Sequence, residues 1–212
     1  NEFSTFIRQS QAIPIIRKIE AIKENGGKRL SEFVSPSKPF GIRGHYEPRE
    51  KGIPCWFTQK IGKKYARNED ISDENKLLKK WKLLIPRAPI AGQTDFSKPV
   101  GFYYDGNIRI AKPGECCTES WIVAGAFSTE EETISFKTYL FTKIVRFLLL
   151  QTVVSQDVTR EKFYFIHNLG KYEGEYTDKL LRKRWNITDK EWIAGKIVFN
   201  CEVFCCVVNG NY

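Results

Sequence analysis

The chain has 212 residues, 42% of them apolar and none of them Met, with 34 Lys and Arg against 25 Asp and Glu and a net charge of +9. That length and apolar content suit one domain, or one domain with a small appendage, and no repeat or low-complexity tract interrupts it. The excess charge is concentrated: residues 1–91 hold 19 basic and 10 acidic side chains, residues 92–136 hold 3 and 7, and residues 137–212 hold 12 and 8. Such an excess is the electrostatic footprint of a polyanion, most simply nucleic acid, or else of lysines scattered for solubility. The lack of Met and a start in mid-pattern imply a piece of a longer polypeptide.

Residues 1–30 read as a helical lead-in from an upstream domain. Phe3, Phe6 and Ile7 suggest a turn or two, and Pro14 suits the first turn of a second helix whose apolar face is Ile15, Ile16, Ile19 and Ile22. Gly26 and Gly27 are expected to stop it. In SPSKPFGIR (35–43), two prolines forbid regular helix, so a rigid extended loop presents Lys38 and Arg43 as DNA-contact candidates or merely stiffens a turn around Phe40. Residues 53–58 and 61–66 read as a hairpin whose tip crowds Lys60, Lys63, Lys64 and Arg67, the side-chain types that grip phosphates. A short helix is expected over 73–81 and a buried strand over 82–86.

The next loop, RAPIAGQTDFSK (87–98), carries Arg87 and Gln93, whose side chains can read base edges, though a solvated loop is the plainer alternative. Asp105-Gly106 between apolar runs predicts a two-residue hairpin, and residues 118–127 a strand. Residues 128–150 then predict one long helix of about 33 Å, capped by Ser128 and Glu131 and striped by Ile134, Thr138, Phe141, Val145 and Leu148. Lys143 and Arg146 interrupt that stripe, so it is far short of the roughly 20 apolar residues of a bilayer span, and no membrane association is expected. Residues 163–166 (FYFI) read as a strand. Thr177 caps a basic helix carrying Arg182, Lys183 and Arg184 as further phosphate candidates, or as a solvated face, and Thr188 with Glu191 forms a second capping box.

The six cysteines include no CxxC pair and no His at zinc-ligand spacing, so reduced, mostly buried thiols in a cytoplasmic protein are expected. The familiar signatures of catalysis are missing. None of the nine prolines forms a Pro-Pro pair, which excludes the Asn/Asp-Pro-Pro-Tyr/Phe motif of amino-methyltransferases, and there is no phosphate loop, GxSxG or HExxH. Asp73, Glu74 and Lys76 resemble only the tail of a nuclease motif. The segment itself is expected to be non-catalytic, with no metal site.

In order along the chain, SPSKPFGIR, KLLIPRA with its following loop, PGECCTESWIVAGAF, KIVRFLLLQTVVSQDVTREKFYFI and YTDKLLRKRWNITDKEWI resemble the carboxy-terminal target-recognition region of adenine-specific DNA methyltransferases of type II restriction–modification systems, some of which are fused to a nuclease. The resemblance spans residues 13–196. It implies an upstream catalytic domain that binds S-adenosylmethionine and methylates a flipped adenine, while this region clamps double-stranded DNA and reads its sequence. At the motif positions Lys38-Pro39-Phe40-Gly41 and Arg146-Phe147-Leu148, Phe40 and Phe147 are expected in the core. Residues 31–199 would form the DNA target-recognition domain, and residues 200–212 a tail that departs from the family ending. The expected fold is α+β, a mixed or antiparallel sheet packed on one long helix with helical ends. The rivals are an interaction module packing on the catalytic domain, or a small nuclease using Asp73, Glu74 and Lys76.

Overall fold

A computed structural model describes Ile7 and residues 9–89, 106–153 and 157–193. Its strands are β1 (Ile53–Trp56), β2 (Lys63–Ala66), β3 (Trp81–Pro86), β4 (Arg109–Ala111), β5 (Cys116–Cys117) and β6 (Trp121–Phe127). Its helices are α1 (Ile13–Ile22), α2 (Glu130–Phe141), α3 (Lys143–Leu150) and α4 (Asp178–Arg184). The fold is α+β, as the sequence implies.

The central sheet has the order β4-β3-β6, antiparallel throughout, and the second has the order β2-β1-β5, mixed because β1 runs parallel to β5. Alternation along β3 explains why two cores form. Leu83 and Ile85 face one side with Ile122 and Ala124 of β6, where α1 to α4 cover them; Leu84 and Val123 face the other, where the second sheet packs. A register shift between Leu83 and Leu84 keeps both strands in phase with their cores. The helical core includes Ile15, Ile16, Phe136, Tyr139, Phe147, Leu181 and Trp185, and the sheet core includes Phe40, Ile42, Cys55, Phe57, Cys116 and Cys117. Phe40 and Phe147 are thus both core residues, and Cys55, Cys116 and Cys117 are free and buried.

The long helix expected from the sequence is two helices. Thr142 adopts φ −59° and ψ 148°, which no helix allows, and its hydroxyl accepts from the Val145 amide to cap α3. The Asp178 carboxylate, first residue of α4, accepts the Ile144 amide at 3.0 Å. The apolar stripe continues across the break because Tyr139, Leu140, Ile144 and Val145 all remain buried, so periodicity alone could not reveal it. The first cap is Thr129, not Ser128, accepting from the Glu132 amide. No helix among the described residues is long and apolar enough to cross a membrane.

Other local expectations divide in the same way. The β1–β2 hairpin, β3, β6, α1 and α4 form where expected, with Thr177 capping α4 and Thr188 and Glu191 closing their box. Helix α1 stops at Lys23, which takes the left-handed conformation before the two glycines are reached. Residues 73–80 form turns rather than a helix, because the Asp73 carboxylate accepts the Leu77 and Leu78 amides at 2.7 and 3.0 Å and closes the chain on itself. Residues 163–166 are not a strand: a 3-10 turn over Arg160–Phe163 leads into a single bridge between His167 and Arg29. Of the Asp105-Gly106 hairpin, only the second arm, β4, lies within the described residues; the tail 200–212 lies outside them.

Candidate nucleic-acid interface

The turn of the β1–β2 hairpin is closed mainly by backbone: Gly62 donates to Thr58 at 2.8 Å and Phe57 donates to Gly62 at 2.9 Å, with the Thr58 hydroxyl accepting from Ile61, while Cys55 and Phe57 on the first arm and Ala66 on the second anchor it in the sheet core. Lys60, Lys63, Lys64 and Arg67 are all exposed. Lys63 alone is neutralised, by Glu115 at 2.8 Å. Lys60, Lys64 and Arg67 have no side-chain ion pair among the described residues. Lys38 and Arg43 share that condition: both are exposed on a loop pinned through Phe40 and Ile42 to the same core. Between residues 38 and 80 there are 11 Lys and Arg and 6 Asp and Glu, a local surplus of five.

Two further cations, which carry no mark in the local sequence, join this region. Arg109 of β4 lies opposite Leu84 and therefore faces the second sheet; its guanidinium carbon is 5.7 Å from the Trp56 ring centroid and 5.8 Å from that of Trp121. Lys112 stands 6.0 Å over Trp81. Lys63 lies 4.9 Å over Trp56, so one indole serves two cations. Glu115, buried at 7% exposure, ties the cluster together: it accepts from Trp56 Nε1 at 2.9 Å, Lys63 Nζ at 2.8 Å and the Lys112 amide at 3.2 Å. Burial opposes ionisation of Glu115, but the Lys63 and Trp56 hydrogen bonds outweigh it and hold the carboxyl below its usual range. In NIRIA Arg109 alternates with Ile108 and Ile110 and so lies on the sheet face opposite theirs, beside buried Ala111. Nothing local in the sequence announces that two tryptophans flank it.

One buried cation supports the site from beneath. Lys82 is fully buried, and its ammonium points at the carbonyls of Lys80 (2.5 Å), Lys112 (3.0 Å), Leu77 and Leu78 (both 3.3 Å). It thereby joins the 77–80 turn to the loop after β4. Burial lowers its pKa to about 8 despite those acceptors.

The remaining candidates are placed differently. Arg87 is paired with Asp157 at 3.1 Å, and Gln93 lies outside the described residues. Arg182, Lys183 and Arg184 lie on α4, which is rooted in the helical core through Leu181 and Trp185. There Arg184 forks onto Glu24 and Arg182 binds Asp189 and stacks 5.1 Å over Trp192, while Lys183, like Lys179 on the same helix, has no ion pair among the described residues. Lys179, Arg182, Lys183, Asn186 and Ile187 line a shallow groove of about 380 Å³. The base-reading and phosphate candidates thus fall into two groups anchored in different cores, and the group on α4 is largely neutralised.

The nuclease trio does not assemble. Both Asp73 carboxylate oxygens are engaged by backbone amides, Glu74 accepts from the Ser72 hydroxyl at 3.1 Å, and Lys76 sits in a left-handed turn. Among the described residues no group of three His, Cys, Asp or Glu side chains is placed to hold a metal. Compared with known proteins, the chain matches no family model, no curated protein and no solved structure.

Proposed function

We propose that this chain binds double-stranded DNA and reads its sequence as the target-recognition part of a restriction–modification adenine-specific methyltransferase. S-adenosylmethionine binding and methyl transfer would belong to an upstream domain of the parent polypeptide, in the cytoplasm, where reduced thiols such as Cys55, Cys116 and Cys117 persist. The observation that carries the DNA reading is that Lys38, Arg43, Lys60, Lys64 and Arg67, all from the sheet half, stand exposed without a carboxylate partner among the described residues. Unpaired cations on a rigid scaffold are what phosphate neutralisation and counterion release require. The methyltransferase reading rests on the five ordered sequence stretches that resemble that family.

In this reading Lys60, Lys64 and Arg67 hold phosphates, Lys63 contributes less because Glu115 cancels it, and Lys38 and Arg43 reach base edges from their loop. The test is to bind the 212-residue chain to a pool of random duplexes at two salt concentrations and sequence what is retained. Enrichment of a short motif, with affinity falling steeply as salt rises, is the expected result. Absence of binding would replace DNA recognition by an interaction module that packs on the catalytic domain.

A further inference from the structure

Arg109 is held by neutral groups and meets no carboxylate among the described residues. Arg29, Arg87, Arg182 and Arg184 each face a carboxylate, and Arg43 and Arg67 are free but exposed. Arg109 has neither arrangement. Its Nη1 donates to the carbonyls of Gly106 at 2.9 Å and Ile108 at 2.6 Å, which fixes the side chain without cancelling its charge. The Trp56 and Trp121 rings flank the guanidinium carbon at 5.7 and 5.8 Å. Its Nε and Nη2 donate to no group among the described residues, and the side chain is only partly buried. Glu115, which shares the Trp56 indole with this cluster, is engaged by Trp56, Lys63 and the Lys112 amide.

A guanidinium held in this way presents two parallel N–H donors in a fork that matches two oxygens of an oxyanion, and it has already lost much of the side-chain freedom that binding would otherwise remove. We infer that Arg109, packed beside Trp56 and Trp121 at the seam of the two sheets, is a phosphate-binding residue, and that its ligand is a backbone phosphate of duplex DNA. Trp56 also lies 4.9 Å under Lys63, whose charge is met by Glu115, so Arg109 is the open cation at this indole. This rests on the DNA reading above and adds a contact that the hairpin tip does not supply.

The test compares Arg109→Met and Arg109→Lys with the unaltered chain in duplex binding at several salt concentrations, alongside thermal unfolding of each. Loss of one phosphate contact is expected to weaken binding about tenfold in Arg109→Met, equally for all sequences, and to reduce the log–log salt slope by about one. Arg109→Lys keeps the charge but not the fork; it is expected to retain the slope and lose affinity several-fold, and it serves if the Met variant does not fold. Unchanged affinity and slope in the folded variants, with binding by the parent intact, would overturn the inference and leave the DNA reading standing. A parent chain that binds no duplex would overturn both. Titration with inorganic phosphate, read by tryptophan fluorescence, separates the two sources of the anion. An Arg109-dependent change at millimolar phosphate, with duplex binding indifferent to Arg109, would contradict the assignment to backbone phosphate.

Discussion

Several cations on the helical side of this molecule are paired with acids, whereas several on the sheet side are left open. On the helical side of the central sheet, Arg29 forks onto Glu20, Arg184 onto Glu24, Lys18 reaches Glu191 at 2.7 Å and Arg182 meets Asp189. On the other side, Lys38, Arg43, Lys60, Lys64 and Arg67 meet no acid among the described residues, and Arg109 is gripped by aromatic rings and carbonyls instead. Charges used to join elements must be paired, because a buried or half-buried ion without a partner is costly. Charges kept for a partner must be left open. The same residue types therefore do structural work in one half and are available in the other, a distinction that composition and net charge cannot draw.

The Glu20 node shows the structural use most clearly. Burial alone would raise its carboxyl, while His167, whose Nε2 lies 3.6 Å away, and Arg29, whose fork contacts it at 2.5 and 2.6 Å, lower it to about 2 from 4.5. Because 3.6 Å exceeds a formed hydrogen bond, the Arg29 fork carries the depression. Arg29 also donates to the Tyr164 carbonyl and lies 4.3 Å over the Tyr164 ring, so this one ion pair joins α1 to the 160–168 segment.

The comparison can be broken or sharpened by substitutions, from the largest effect to the smallest. Lys82→Met would leave four carbonyls without their donor and is expected to lower stability by about 2–4 kcal/mol in denaturant unfolding. Glu20→Gln should cost about 2–3 kcal/mol by the same measurement, with duplex affinity unchanged in whatever remains folded. The pH dependence follows from the direction of the shift: a folded-state carboxyl below its unfolded value stabilises above pH 4.5, and up to about 3 kcal/mol is lost as pH falls from there toward 2. Glu20→Gln should flatten that acid limb of the stability curve. Gly52→Ala, where φ is +134° and an added Cβ would sit 2.3 Å from the Ala66 carbonyl oxygen, is expected to loosen the hairpin by about 1–3 kcal/mol and to weaken DNA binding with it. Arg184→Ala, which removes the fork from a Glu24 side chain only 8% exposed, should cost about 1–2 kcal/mol and leave affinity unaltered.

Much of this fold is legible in the sequence because local rules and tertiary packing agree. The mostly apolar run KLLIP, Pro14 in the first turn of α1, and the caps at Thr177 and Thr188 each lead to an element that forms. The errors arise where a side chain takes up backbone amides that the pattern assigns to a helix. Asp178 caps α3 from across the helical core, and Asp73 turns its own carboxylate onto the backbone, which a helical pattern conceals. For the candidate interface, sequence reveals which cations exist but not which are spent. Arg182 and Arg184 look equivalent to Lys60 and Lys64 in sequence, although Asp189 and Glu24 sit beside them in the fold. Arg109 is inconspicuous because its tryptophans are 53 and 12 residues away along the chain.

The most direct test of the central claim exchanges charge in each half separately. Lys60→Glu, Lys64→Glu and Arg67→Glu combined in one variant, and Arg182→Glu with Arg184→Glu in another, would be compared for duplex affinity and thermal stability. The account expects the first variant to remain folded and lose at least about a hundredfold in affinity at low salt, and the second to lose stability with far less effect on binding. Equal affinity losses in both, or a hairpin variant that binds like the parent, would contradict it.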